Sequence, residues 1–328
     1  MSLREHLIRV ASRAAAGLAA IGAMAALASC GGGTYQVSTF QPARVLVFGD
    51  ESSRLEGPQG LKYSINGMSA TNTSQIDCTQ SPLWTQTVAS YYGLVFANCN
   101  PTASNLINAI EYTKVGGTVD DVANSVAAFQ AGDTFNYNDL VLVWVGMNDI
   151  LNEYKANGAG DQGVLLDTMK ARGTALASTI NTIAKAGAKV IVLTAPDLSL
   201  SPFGFAESQR GDFDRTKLLS DMTTQFNLGL RINIINDGSK IGLVLPDDFV
   251  RDAVRNPGRY GFVLLDNQTY GCLDTAPLPT CTPDTLKTDP VSGSTTTGYL
   301  WADATHLGSI GQTTIGAQAR DRARANPF

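Results

Sequence analysis

Histidine is nearly missing from this chain. Of 328 residues only His6 and His306 are histidine, and His6 lies in an N-terminal stretch that reads as a leader. Any proton relay through an imidazole near neutral pH therefore falls to His306, in the run Tyr299-Leu300-Trp301-Ala302-Asp303-Ala304-Thr305-His306. Cysteine is sparse too: there are five, none in a Cys-x-x-Cys spacing, which argues against thiolate metal ligation. The formal net charge is −5 and no basic run occurs, so nucleic acid is a poor partner. There is no internal repeat.

The N-terminus carries Arg4, Arg9 and Arg13, then an apolar run from Ala14 to Leu27 that is too short and too rich in alanine to span a bilayer well. Next comes Leu27-Ala28-Ser29-Cys30, which resembles a bacterial lipobox. That resemblance implies cleavage before Cys30, diacylation of its sulfur and, because Gly31 rather than Asp follows, residence at the outer membrane. Residues 1–29 are then a lipoprotein signal peptide, 30–42 an anchor with a flexible tether, and 43–328 a single domain. Loss of the leader, with three Arg and one Glu, takes the formal charge from −5 to −7. Cys78, Cys99, Cys272 and Cys281 remain, an even set in an exported chain, which predicts two disulfides. Sequence proximity favours Cys78–Cys99 and Cys272–Cys281.

Arg44 to Phe48, Asp139 to Val145 and Lys189 to Leu193 are short, nearly continuous apolar runs, and Ile241 to Leu245 is a weaker one. Runs without period-two alternation read as strands buried on both faces of a parallel sheet. Between the second and third, Leu166, Met169, Gly173, Leu176, Ile180 and Ile183 recur at helical spacing, and Gly187 suits the helix end. Gly311 to Ala325 reads as a closing helix, and Gly271 to Gly298 as a long loop holding one disulfide. Strand, helix, strand in repetition predicts a doubly wound α/β fold.

In such folds ligands bind beyond the carboxyl ends of the strands. The polar stretches placed there are Phe48-Gly49-Asp50-Glu51-Ser52-Ser53, Lys114-Val115-Gly116-Gly117-Thr118, Val145-Gly146-Met147-Asn148-Asp149 and Asp303-Ala304-Thr305-His306. In this order they resemble the sequence blocks of the SGNH/GDSL hydrolases. Lys62 to Gly67, Pro82-Leu83-Trp84, Ala195 to Pro202, Phe226-Asn227 and Asn256 to Phe262 extend the likeness to the larger, autotransporter-passenger-like members. The resemblance implies a flavodoxin-like parallel sheet flanked by helices and hydrolysis of esters without cofactor or metal. Short acyl, lipid and acylated-glycan esters are all candidate substrates. It also assigns roles: Gly117 and Asn148 as oxyanion donors, Asp303 as the orienting carboxylate and His306 as the base. An oxyanion donor supplies about 3 kcal/mol of transition-state stabilisation. Trp301 is expected to pack beneath the site.

One block departs from the pattern. The family has Phe-Gly-Asp-Ser, and this chain has Phe48-Gly49-Asp50-Glu51. Ser52 follows one residue late, rotated by about 100° on a helical turn, and reaches His306 only if a bulge at Gly49-Asp50 restores the register. The leading expectation is a serine ester hydrolase with Ser52 as nucleophile, Ser53 standing second. The rival is a non-catalytic relative that keeps the pocket for binding, because Glu51 pointing inward would fill the oxyanion hole and favour imidazolium over imidazole. A third arrangement sets Asp50, Glu51, Asp303 and His306 around a divalent cation, although no spacing specifies it.

Overall fold

Five parallel strands form the sheet at the centre of the computed structural model, which describes residues 40–262, 269–288 and 298–325. Along the chain the strands are β1 (Arg44–Gly49), the short pair β2 (Leu55–Glu56) and β3 (Leu61–Lys62), β4 (Ala109–Thr113), β5 (Asp139–Trp144), β6 (Lys189–Leu193) and β7 (Ile241–Val244). The helices among the described residues are α1 (Trp84–Tyr91), α2 (Val119–Gly132), α3 (Met147–Asn157), α4 (Gln162–Lys185), α5 (Pro202–Ser208), α6 (Arg215–Asn233), α7 (Pro246–Arg255) and α8 (Ser309–Arg324). The main sheet runs β4-β1-β5-β6-β7, with β2 and β3 paired separately as an antiparallel hairpin. The described residues belong to one compact unit beginning at Phe40. Residues 1–39, which take in the expected leader, Cys30 and most of the expected tether, lie outside the described residues, as does part of the Gly271–Gly298 stretch.

Residue alternation explains why the strands read as unbroken apolar runs. Leu46, Phe48, Val141 and Val143 pack with α2, α3, α4 and α6 on one face. Val45, Val47, Leu140 and Leu142 pack with α1, α7 and α8 on the other. With apolar cores on both sides, β1 and β5 are apolar beyond their charged first residues, Arg44 and Asp139. The expected doubly wound parallel sheet is therefore the observed one, and its four expected strands are β1, β5, β6 and β7.

The expected helix over Leu166 to Ile183 is α4, and Gly187, in the left-handed region at φ 111°, follows its end. The closing helix begins at Ser309, two residues before the expected Gly311. Strand β4 was not expected. It is a sheet edge, partly solvated, and its sequence Ala-Ile-Glu-Tyr-Thr has no continuous apolar run. Both disulfides form, Cys78–Cys99 and Cys272–Cys281.

The sheet positions the site through its strand order. The chain leaves β1 for β4 on one side and returns to β5 on the other, so β1 is where the winding reverses, and the crevice opens there. The loops after β1, β4 and β5 meet at this point.

Candidate active site

Strand β1 ends against β5. Asp50 N–H donates to the Trp144 carbonyl at 3.1 Å. A Cβ on Gly49 would lie 2.2 Å from that same oxygen, so only glycine passes. The chain then makes one 3₁₀ turn, Glu51–Ser53, capped by Asp50, whose Oδ1 accepts from Ser52 N–H at 2.9 Å. The turn is pinned from behind. Trp84 Nε1–H donates to Ser53 Oγ at 3.0 Å, and Gln312 of α8 donates to the Ser52 carbonyl at 3.3 Å. The side chain presented at the crest is Glu51, only 5% exposed.

Three groups converge on its carboxylate. Gly116 N–H donates to Oε2 at 2.8 Å. Asn148 Nδ2, from the first turn of α3, lies 3.1 Å from Oε2 and 3.3 Å from Oε1. His306 Nε2 lies 3.1 Å from Oε1. The other ring nitrogen, Nδ1, is 2.9 Å from Asp303 Oδ2 and 3.0 Å from Oδ1. Asp303 is itself oriented by the backbone N–H groups of Thr305 (2.8 Å) and His306 (2.7 Å). Ser64 Oγ donates to the Leu307 carbonyl at 2.9 Å and ties this loop to the segment after β3. Trp301 is buried in the core beside it.

The structure thus brings Asn148, Asp303 and His306 together and sets two other expected residues differently. Ser52 is buried, but among the described residues the ring nitrogens of His306 hydrogen-bond only to Asp303, Glu51 and Thr305. The 3₁₀ turn starts directly after Asp50 without the register-restoring bulge, so residue 51 faces the ring. Ser53 turns its hydroxyl to Trp84. Gly117 closes the turn after β4, its N–H donating to the Lys114 carbonyl at 3.0 Å. An added Cβ on Gly117 would sit 2.8 Å from that carbonyl oxygen and 3.1 Å from that of Gly49. The N–H aimed into the site belongs to Gly116, which adopts φ 69°. Which of two adjacent glycines presents its amide depends on that one dihedral, which composition does not encode.

Charge follows geometry. Burial alone would lower the proton affinity of His306, but its hydrogen bonds to Asp303 and Glu51 overcome this and push its pKa up to about 10. Burial pulls the Glu51 and Asp303 carboxyls upward, yet bonding to the His306 ring holds both below their ordinary values. Asp50 goes the other way: burial, reinforced by the Glu51 charge, lifts it to about 8. At neutral pH the site is an imidazolium between two carboxylates, with a neutral Asp50 behind. Among the described residues no group of His, Cys, Asp and Glu is arranged to hold a metal ion.

No protein-family model matches the chain. A phosphatidylcholine-sterol acyltransferase of Aeromonas hydrophila is 27% identical over 248 residues, covering 73% of this chain and 69% of that protein. Among solved structures, a lipase from a goat rumen metagenome aligns over 86% of this chain and 97% of its own, with 12% identity and a TM-score of 0.45. A lipolytic G-D-S-L family protein from Veillonella parvula aligns over 84% and 95%, with 12% identity and a TM-score of 0.40. At that distance neither structure bears on the chemistry of the site.

Proposed function

We propose that the chain is an ester-acting hydrolase of the GDSL type, held at the bacterial outer membrane through lipidation of Cys30. The observation that supports the reaction class is the convergence of Gly116 N–H, Asn148 Nδ2 and His306 Nε2 on the two oxygens of one planar carboxyl group. An ester has the same frame. Its carbonyl oxygen would take the place of Glu51 Oε2 at the two amide donors, where charge develops in the transition state. Its alkoxy oxygen would take the place of Oε1, facing the imidazolium proton.

Turnover then requires Glu51 to give up the donors to substrate. The displaced carboxylate accepts a proton from water as the water oxygen bonds to the acyl carbon. His306 gives its Nε2 proton to the departing alkoxide, and Glu51 returns a proton to the ring. Ser52 serves as nucleophile only if the turn shifts by one residue. The resemblance to an acyltransferase named for a phospholipid acyl donor favours lipid esters as substrates.

A second reading is favoured by the filled pocket itself: a binding module that recognises an acyl group without cleaving it. Hydrolysis of alkyl esters, whose departing alkoxide needs the proton, by the wild type, Glu51→Gln and His306→Gln separates the two. The hydrolase reading expects turnover in the wild type, lost on the order of 100-fold in each variant, and no fluorophosphonate label on Ser52. A label there would assign the serine route instead. A folded wild type without turnover establishes the binding reading. Lipidation is checked separately: mass spectrometry of the mature N-terminus is expected to find a diacylated Cys30, and an unmodified cysteine would refute the anchor.

A further inference from the structure

We propose that the pocket formed by Gly116, Asn148 and His306 is a receptor for a planar monocarboxylate whose resident ligand is Glu51, so that a free carboxylic acid takes the same place whenever that side chain is absent or withdrawn. The proposal rests on the ester-acting reading of the site for its biological sense, since the acid is the product of that reaction. Its test does not depend on turnover.

The pocket and the carboxylate are complementary group by group. Both oxygens of the carboxylate are engaged: Oε2 by one backbone N–H and one amide NH₂, Oε1 by the ring. These are charge-assisted bonds, roughly twice as strong as neutral ones. The pocket is almost closed to water, with Glu51 6% and the His306 ring 13% exposed at the side chain. Removing the carboxylate would leave a buried cation with Asp303 as its one remaining carboxylate partner, and would free the Gly116 N–H and part of the Asn148 amide. Stranded donors of this kind are expensive. The second buried carboxyl, Asp50, cannot substitute, because it accepts from Ser52 N–H on the far side of the turn. A Glu51→Ala variant keeps Cβ and lacks the remaining CH₂COO⁻, a gap with the shape of acetate.

The test is titration of full-length Glu51→Ala with acetate, followed by calorimetry and by the unfolding temperature. Acetate is expected to bind the variant at least about tenfold more tightly than the wild type, and to raise its unfolding temperature with concentration, as any ligand of the native state does. Acetamide, which has the same shape without charge, is expected to do neither. Adding Asn148→Leu to Glu51→Ala is expected to abolish acetate binding. A folded Glu51→Ala that responds no more to acetate than the wild type overturns the proposal, as does equal binding of acetamide. If Glu51→Ala does not fold, Glu51→Gln fills the same volume: proton loss from His306 at lower pH than in the wild type supports the receptor, and an unchanged ring titration refutes it. Ester turnover by the wild type, measured in parallel, separates failure of this inference from failure of the hydrolase reading.

Discussion

The Nε2 atom of His306 lies 3.1 Å from Oε1 of Glu51, residues separated by 255 positions in sequence. Because Asp303 holds the opposite ring nitrogen, the imidazole is bracketed by two carboxylates. In a hydrolase that used a hydroxyl at this place, a neutral imidazole would take a proton from it. Here a second carboxylate takes that place and favours the cationic form of the ring.

This bracket makes stability depend on pH in a defined direction. The folded pKa of His306 is raised above its ordinary value of 6.5 to about 10, so its stabilising contribution is complete below 6.5 and is lost as pH rises through about 10. Glu51 and Asp303 are lowered, so their contributions hold above the ordinary carboxylate range and fade as pH falls through their folded values. Asp50 and the Tyr63 ring, 6.1 Å away, complete the surroundings of the imidazole. The stability difference between wild type and His306→Gln is therefore expected to shrink between pH 6.5 and 10, by a few kcal/mol at about 1.4 per pKa unit. Denaturant unfolding at a series of pH values measures it. A difference that is flat or grows over this range contradicts the bracket.

Glu51→Ser places a hydroxyl where His306 Nε2 now meets a carboxylate, and removes one of the two charges that hold the ring protonated. We expect this variant to gain fluorophosphonate labelling at position 51, and adding His306→Ala to remove it. In the same background Asn148→Ala should lower ester hydrolysis by about 10²–10³, the usual cost of an oxyanion donor. Peptide mapping of the labelled protein locates the adduct. Labelling that survives loss of His306 would mean the ring does not activate position 51.

The Cys272–Cys281 disulfide supports the site from a distance. Cys272 N–H donates to the Ala302 carbonyl at 2.9 Å, and Asn66 Nδ2 donates to the Cys281 carbonyl at 2.9 Å, so the bridged loop braces the segment leading to Asp303. Replacing both cysteines with serine is expected to cost about 2–3 kcal/mol for a loop of this length. The loss is read from the unfolding midpoint under non-reducing conditions. No change would show that the loop is held by its hydrogen bonds alone.

Gly49→Ala tests the junction from which the turn springs. The added Cβ would lie 2.2 Å from the Trp144 carbonyl oxygen, at a φ of 154°. Strand separation and strain together should destabilise the fold by about 3 kcal/mol. Urea unfolding monitored by tryptophan fluorescence reports it, and a shift under about 0.5 kcal/mol, the range of ordinary surface changes, would argue against so close a contact.

Much of this was legible in the sequence because burial leaves marks. Beyond their charged first residues, Arg44, Asp139 and Lys189, strands β1, β5 and β6 are apolar since both of their faces are covered, and α4 shows its period from Leu166 to Ile183. Asn148, Asp303 and His306 were legible through the likeness of their ordered blocks to the SGNH/GDSL pattern; taken singly, a strand-end Asn reads as a helix cap and a lone His as a packed side chain. The edge strand β4 left no such mark. Gly116 could not be told from Gly117, since their difference is one backbone angle. Gln312 was invisible as well: a polar residue on a terminal helix reads as solvent-facing, yet it is 1% exposed and bridges Ser52 O and Trp84 N–H. The competition between Glu51 and Ser52 was visible as an alternative. What decides it is local: Asp50 caps the turn directly, so residue 51 faces the ring.

The most direct test of the account is a ¹⁵N NMR titration of the His306 side chain in the wild type and in Glu51→Gln, with the signal assigned by its loss in His306→Gln. The ring is expected to stay doubly protonated through neutral pH and to give up its proton near 10 in the wild type, and at distinctly lower pH in the variant. A wild-type ring that titrates near 6.5, or one indifferent to Glu51→Gln, would contradict it.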